Sequence, residues 1–386
     1  FYPQTGRLRV SKMEAIGAVE QTPAPAVPQP ETPAVATPVA APVKKRILVV
    51  DDSKTICDLL TTILNKDPEL EVVGTAPNPL AAEKMIADLK PDVLTLDIHM
   101  PEMDGVTFLK QLMQTHPMPV VMITSVSKEE GPEVLTALEL GAVDYLQKPV
   151  LSELAQKGPI IRKTVRVAAD VKVHKNNSHG AKPHSRVGAL DYKDSYICIG
   201  ASTGGTRALT EFFSELPEQI PPTLVVQHIP PVFSKAFANR LDELMPFEVL
   251  EARYCDKIIP NRVLVAPGGK QMAIEKRGQK LVAKIFDGEP VNGHKPSVDV
   301  LFESAAKNLG GKAVGIIMTG MGNDGAAGLL TMRQNGARTF AQDEASGVVF
   351  GIPKEAIKLG AAEQVVSLDD MALALQKILK NKNGVA

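Results

Sequence analysis

The chain has 386 residues, 44% hydrophobic and 23% charged, with a formal net charge of −1. That length exceeds one ordinary core and predicts two domains with connecting segments; the near-zero charge supplies no global field toward nucleic acid or an anionic membrane, so neither is expected as a partner. Three scattered cysteines (Cys57, Cys198, Cys255) suit a reducing compartment, no apolar run nears the roughly 18 residues of a membrane helix, and the opening FYPQTGRLRV lacks a signal-peptide core, which together predict a cytoplasmic protein without direct membrane insertion.

Residues 1–43 include EQTPAPAVPQPETPAVATPVAAPV, almost wholly Pro, Ala, Val and Thr, and predict a flexible tail. From residue 44, RILVVDD, SKTICDLLTTILNK, LEVVG, AAEKMIADLK and DVLTLD read as βαβαβ, and PVVMIT and VDYLQ add a fourth and fifth strand. In the first helix Ile56, Leu59, Leu60, Ile63 and Leu64 recur at spacings of three and four, one stripe fit to cover a parallel sheet. The pattern weakens over 151–193, where RKTVRVAADVKVHKNNSHGAKPHSR is basic without aromatics and reads as a solvated linker. A second series, YICIG, TLVVQ, EVLEA, AVGIIMTG and ARTFAQ, forms another α/β domain over 194–386, within which QMAIEKRGQKLVAKIFD alternates about a glycine as a β-hairpin. The expected fold class is α/β, two doubly wound parallel-sheet domains, 44–150 and 194–386, joined by a linker.

Asp51 and Asp52 close the first strand and Asp97 the third, so they meet at the carboxyl edge where open α/β sheets take ligands. Three carboxylates repel one another, and Mg²⁺, a hard cation with oxygen ligands, relieves that. Thr124 and Lys148 end the fourth and fifth strands and add a hydroxyl and a second cation. Taken singly, Asp51 or Asp52 reads as a helix cap and Lys148 as a surface charge; five such groups at corresponding strand ends read as a site.

The stretches VVDDS, LTLDIHMPEMDG, VVMITS and DYLQKP resemble response-regulator receiver domains in order and spacing. The resemblance implies a flavodoxin-like fold with Asp97 as phosphoacceptor. It further implies Mg²⁺ held by Asp51, Asp52, Asp97 and the backbone carbonyl of His99, and phosphoryl contacts from Thr124 and Lys148. Tyr145 matches the family's switch aromatic, or packs as any strand tyrosine does. His99 stands where acidic residues are common.

In the second domain, CIGASTGGTRAL leaves open a phosphate loop or a nucleophile turn. A dinucleotide fingerprint needs G-x-G-x-x-G/A and an acid about 20 positions on; here Ser202 takes the second glycine position and the next strand ends in Gln227 and His228. AVGIIMTGMGNDGAAGL ends a further strand in a glycine-rich turn bearing Asp324. Ser202, His228 and Asp324 then share one sheet edge as nucleophile, base and orienting carboxylate. The order Ser, His, Asp differs from that of α/β-hydrolases. Asp324 also reads as the N-cap of the helix that follows it, a role compatible with orienting a histidine. A helix beginning near Ser202 aims free N–H groups at the site, and the turn around Met321 offers another.

GASTGGTRAL, VVQHIPPVFSKAFANRLD, VLVAPGGK, GHKPSVDVLFESAA and MTGMGNDGAAGL resemble the chemotaxis protein-glutamate methylesterase family. The resemblance implies a Rossmann-like three-layer esterase domain with Ser202 as nucleophile, His228 as general base, Asp324 as its orienter, and backbone oxyanion donors at Thr203 and Met321, with no esterase cofactor. It implies hydrolysis of glutamate γ-methyl esters on methyl-accepting chemotaxis receptors, glutamine deamidation, and a chemotaxis histidine kinase as phosphodonor. His294 and Asp299 are candidates to line the cleft, His294 with a direct catalytic role as the lesser reading, while Asp299 alternatively caps the helix that follows or faces solvent on it; Arg207 either meets a substrate carboxylate or covers its helix. The competing reading is a non-enzymatic, phosphorylation-dependent binding regulator in a receptor signalling array.

Overall fold

The computed structural model describes residues 43–125, 131–149, 153–173, 187–188, 190 and 193–383; the predicted tail through residue 42 and the basic stretch 174–186 lie outside them. Among the described residues no helix is long and apolar enough to cross a membrane.

The first sheet is built from β1 (Lys45–Val50), β2 (Leu70–Ala76), β3 (Val93–Asp97), β4 (Val120–Thr124) and β5 (Asp144–Gln147), parallel throughout in the order β2-β1-β3-β4-β5. β3 and β4 are buried along their whole length, which is why they read as continuous apolar runs rather than alternating ones. Between the strands run α1 (Lys54–Leu64), α2 (Pro79–Leu89), α3 (Gly105–Thr115) and α4 (Gly131–Leu140). The predicted stripe of α1 faces inward, with Leu60, Ile63 and Leu64 buried and Ile56 and Leu59 partly so. Asn78 starts α2 by accepting from the Ala81 N–H at 2.9 Å ahead of Pro79 in the first turn, and Asp104 starts α3 in the same way from Thr107.

One element differs from the sequence reading. Residues Leu154–Ala168, expected as linker, form α5, and its Ile161, Val165 and Ala168 pack into the first sheet's core with Ile47, Val49 and Leu60. Gly158 and Pro159 inside the helix, and Lys or Arg between its apolar positions, mask spacings of four and three. The first unit therefore continues to residue 168 rather than ending at 150.

The second sheet contains β6 (Tyr196–Ala201), β7 (Thr223–Gln227), β8 (Glu248–Glu251), β9 (Arg262–Val265), β12 (Ala313–Ile317), β13 (Arg338–Gln342) and β14 (Gln364–Val366) in the parallel order β14-β13-β12-β6-β7-β9-β8. The predicted hairpin is β10 (Gln271–Arg277) with β11 (Lys280–Phe286), antiparallel and separate from that sheet. One face packs on α6 (Gly205–Ser214), α7 (Pro231–Leu244) and α11 (Leu368–Asn383) through Phe212, Phe213, Phe233, Phe237 and Leu375. The other carries α8 (Val298–Leu309), α9 (Ala326–Gln334), α10 (Ile352–Lys358) and the hairpin, through Leu301, Phe302, Leu329, Ile352 and Met272. This is a three-layer α/β architecture, as expected.

Both sheets place their critical strand ends at a reversal of strand order. β1 and β3 flank the reversal in the first sheet, and β6 lies between β12 and β7 in the second. Helices leave such neighbours on opposite faces, opening a crevice at the carboxyl edge. The units also share apolar packing: Phe108, Leu112, Val134 and Leu138 belong to the same buried cluster as Phe212 and Phe233.

Candidate functional site

The turn after β6 is held from both neighbouring strands. The Ser202 N–H donates to the Thr319 carbonyl at 3.0 Å, and the Ser202 carbonyl accepts from the Gly205 N–H at 2.7 Å and Gln227 Nε2 at 2.9 Å. Gly204 caps α6 at φ 75°, a left-handed conformation that suits glycine. Ser202 is 9% exposed, and among the described residues its hydroxyl makes no hydrogen bond.

His228 follows β7, where its N–H donates to the Ala201 carbonyl at 3.1 Å. Its Nε2 lies 2.8 Å from Asp324 Oδ2, while its buried Nδ1 has no hydrogen-bond partner among the described residues. An ionised carboxylate can only accept, so Nε2 carries the proton and Nδ1 keeps a free lone pair. The His294 ring stacks on that of His228, with centroids 3.7 Å apart and planes 5° from parallel. Burial, then the neighbouring His228, pulls the His294 imidazole down to about 4 and keeps it neutral near pH 7.

Asp324 is fully buried and saturated with donors. Oδ2 accepts from His228 and the Val298 N–H, the latter at 2.7 Å; Oδ1 accepts from Ser297 Oγ at 2.7 Å, Asn292 Nδ2 at 3.0 Å and the Asp299 N–H at 3.4 Å. Burial by itself raises this carboxyl, but the His228 hydrogen bond and charge, with Ser297 and Asn292, outweigh it and hold it at about 2. The helix it caps is α8, rather than the α9 that follows it, whose N-cap is Gly325. Asp299, in the first turn of α8, returns the contact by accepting from the Gly328 N–H of α9 at 2.6 Å. The two helices thus exchange caps, and Asn292 Nδ2 bridges both carboxylates, lying 2.7 Å from Asp299 Oδ2.

The amide N–H groups of Thr203 and Met321 donate to nothing among the described residues. The Thr203 hydroxyl donates to Asp144 Oδ2 at 2.6 Å, a contact from the first sheet to the residue beside Ser202. Burial pushes the Asp144 carboxyl up, and the Thr203 hydroxyl opposes this. Tyr145, next in β5, packs edge-on against Phe233 of α7 with centroids 5.1 Å apart, so the packing reading of this tyrosine holds here. Arg207 pairs with Glu211 one turn on at 2.7 Å, and both line a cavity of ≈1330 Å³ between the units, together with Gly141, Lys172, Gly204 and Met321.

At the first sheet's edge, carboxylate oxygens of Asp51, Asp52 and Asp97 lie within 4.8 Å of one another. Lys148 Nζ is 3.0 Å from Asp51 Oδ2 and 2.7 Å from Asp97 Oδ2. Burial nevertheless raises the Asp97 carboxyl despite Lys148. Three carboxylates beside one ammonium suit a further hard cation with oxygen ligands. Thr124 is buried at the end of β4, where its carbonyl accepts from the Lys148 N–H at 2.7 Å; the His99 ring turns away to Glu133, 3.7 Å distant.

Sequence reasoning missed Asn292, Ser297, Thr319 and Asp144, and gave Gln227 no role. Only Asn292 had a local signal, the Asn-Gly turn in VNGHKP; the others act on groups remote in sequence.

Residues 197–375 match the CheB methylesterase family, and residues 47–157 match the response regulator receiver domain. A protein-glutamate methylesterase/protein-glutamine glutaminase of Methylobacillus flagellatus is 44% identical over 349 residues, covering 88% of this chain and 98% of that protein. The protein of that name from Salmonella typhimurium is 45% identical over 332 residues, covering 85% and 95%. The solved CheB methylesterase catalytic domain of Thermotoga maritima is 34% identical and covers 48% of this chain and 98% of that domain, with a TM-score of 0.47. Similarity over nearly the full length of such relatives, at these identities, makes this chain a member of the CheB methylesterase family with a response regulator receiver domain.

Proposed function

We propose that the chain hydrolyses glutamate γ-methyl esters of chemoreceptors at Ser202 and deamidates receptor glutamines with the same groups, under control of phosphorylation at Asp97. The observation that carries the chemistry is His228, whose N–H donates to the Ala201 carbonyl next to Ser202, with Nε2 committed to Asp324 and the buried Nδ1 without a hydrogen-bond partner among the described residues. His228 Nδ1 takes the Ser202 proton as the oxygen attacks the ester carbonyl carbon. Thr203 and Met321 amides receive the tetrahedral oxyanion; one such donor contributes about 3 kcal/mol. Collapse breaks the C–O bond, the leaving methoxide takes the proton from His228 and departs as methanol, and water repeats the sequence on the acyl-enzyme. For glutamine the leaving group is ammonia.

In the receiver, Asp51, Asp52, Asp97 and the His99 carbonyl would hold Mg²⁺, which supplies charge neutralisation for phosphoryl transfer when bound. Asp97 accepts the phosphoryl group from a chemotaxis histidine kinase, and Lys148 and Thr124 contact it. The proposed setting is cytoplasmic. The contact of Asp144 with Thr203 and the near-burial of Ser202 support a covered, resting catalytic cleft that phosphorylation opens.

Rapid quenching of the phosphorylated chain during turnover of methylated receptor tests the chemistry. A receptor adduct is expected on the peptide containing Ser202; rapid methanol release with the adduct on another residue would overturn this assignment.

A further inference from the structure

We propose that Gln227 is a positioning residue for ester hydrolysis, aiming the Thr203 oxyanion amide and fixing the base beside the nucleophile. Gln227 ends β7 and is 4% exposed. Its Nε2 lies 2.9 Å from the Ser202 carbonyl oxygen and 3.2 Å from that of His228. One side-chain amide therefore ties together the backbones of nucleophile and base at adjacent strand ends.

The Ser202 carbonyl and the Thr203 N–H belong to one peptide unit. In a trans peptide they point in opposite directions. Donation from Gln227 Nε2 and the Gly205 N–H turns this carbonyl into the fold, so the Thr203 N–H is turned outward. The next peptide is held from the opposite neighbour, where Thr319 Oγ1 donates to the Thr203 carbonyl at 3.0 Å and Gln342 Oε1 in turn accepts from the Thr319 N–H at 2.7 Å. Strand ends β13, β12, β6 and β7 thus brace the turn from both sides, and Gln227 is the member that also reaches His228.

This arrangement leaves Gln227 Oε1 buried with no hydrogen-bond partner among the described residues. An apolar side chain of similar size would avoid that penalty but leave the two carbonyls without this donor. The amide also fills the space beneath the turn. A Cβ at Gly205 would lie 2.1 Å from Gln227 Oε1, which gives the second glycine of STGG a steric reason.

The proposal rests on Ser202 being the nucleophile, so Ser202→Ala is assayed beside Gln227→Met and Gln227→Glu, all in the full chain with receiver phosphorylated. Methionine keeps length and flexibility while removing both donors; glutamate keeps the shape and replaces donors by an acceptor. Methanol release from methylated receptor and thermal midpoints are measured for each. With an intact oxyanion donor worth about 10²–10³-fold, Gln227→Met is expected to lower kcat by about 10–100-fold with KM within about twofold. Gln227→Glu loses more at pH 8 and regains rate as pH falls, because its protonated carboxyl donates one hydrogen bond. A folded Gln227→Met with wild-type kcat, or a Gln227→Glu rate that only falls on acidification, overturns the proposal. If the methionine variant does not fold, the isosteric glutamate carries the test alone. An active Ser202→Ala removes the underlying nucleophile; an inactive one beside a wild-type kcat in Gln227→Met removes the role of Gln227 only.

Discussion

Asp97 and Asp324 are both buried aspartates at the carboxyl edge of a parallel sheet, and their surroundings push them in opposite directions. Around Asp97, burial outweighs Lys148 and raises the carboxyl, with two further carboxylates within 4.8 Å. Around Asp324, the His228 hydrogen bond and charge, with Ser297 and Asn292, outweigh burial and hold the group at about 2. A carboxylate whose charge is poorly compensated is suited to having that charge changed by a cation or a phosphoryl group. One saturated with hydrogen bonds is suited to staying an anion while the histidine beside it gains and loses a proton. The same residue type is therefore suited to the proposed switch in one sheet and to the proposed orienter in the other.

The sharpest way to break this contrast is to neutralise each carboxylate. Asp324→Asn, which no longer fixes the proton on His228 Nε2, is expected to lower methanol release by about 10³–10⁴-fold with the phosphodonor present. Asp97→Asn is expected to abolish the acceleration that wild type shows with a small phosphodonor and Mg²⁺; retained acceleration would remove Asp97 from the switch. The contact between the two regions can be tested directly. An ordinary hydrogen bond contributes about 0.5–1.5 kcal/mol net, so Asp144→Ala should raise the unphosphorylated rate by up to about tenfold while changing the phosphorylated rate much less. An unchanged resting rate would separate that contact from regulation.

The smallest expected effects are in acid stability. His294 is held at about 4 against an ordinary 6.5, so the unfolded chain binds a proton that the fold refuses. Its contribution is full above pH 6.5 and is lost as pH falls to about 4. Asp324, held at about 2 against 3.8, contributes about 2 kcal/mol above pH 4 that is lost as pH falls toward 2. The thermal midpoint should decline in two stages on acidification, and His294→Asn should flatten the upper one. An identical decline between pH 7 and 4.5 in both proteins would contradict the cause given for His294.

Much of this was legible in the sequence because strand ends carry it. Apolar runs ending in Asp51, Asp97, Ser202 and His228 place those residues at one edge of each sheet by topology alone. α5 was not legible: Gly158 and Pro159 interrupt its period, and only packing against β1 and α1 reveals it. The capping role of Asp324 went to α8 instead of the adjacent α9 because its partner amides come from a segment 26 residues away. Gln227 and Asp144 were silent for a related reason. Each acts on backbone or hydroxyl groups of the Ser202 turn, and a strand-end polar residue carries no local mark of which neighbour it will meet.

The central claim, that Ser202 performs the chemistry, is tested most directly by methanol release from methylated chemoreceptor. Full-length wild type and Ser202→Ala would be compared with Asp97 phosphorylated in both and thermal midpoints matched. The expected result is sustained release by wild type and background release by Ser202→Ala. Release by Ser202→Ala at the wild-type rate would contradict the account.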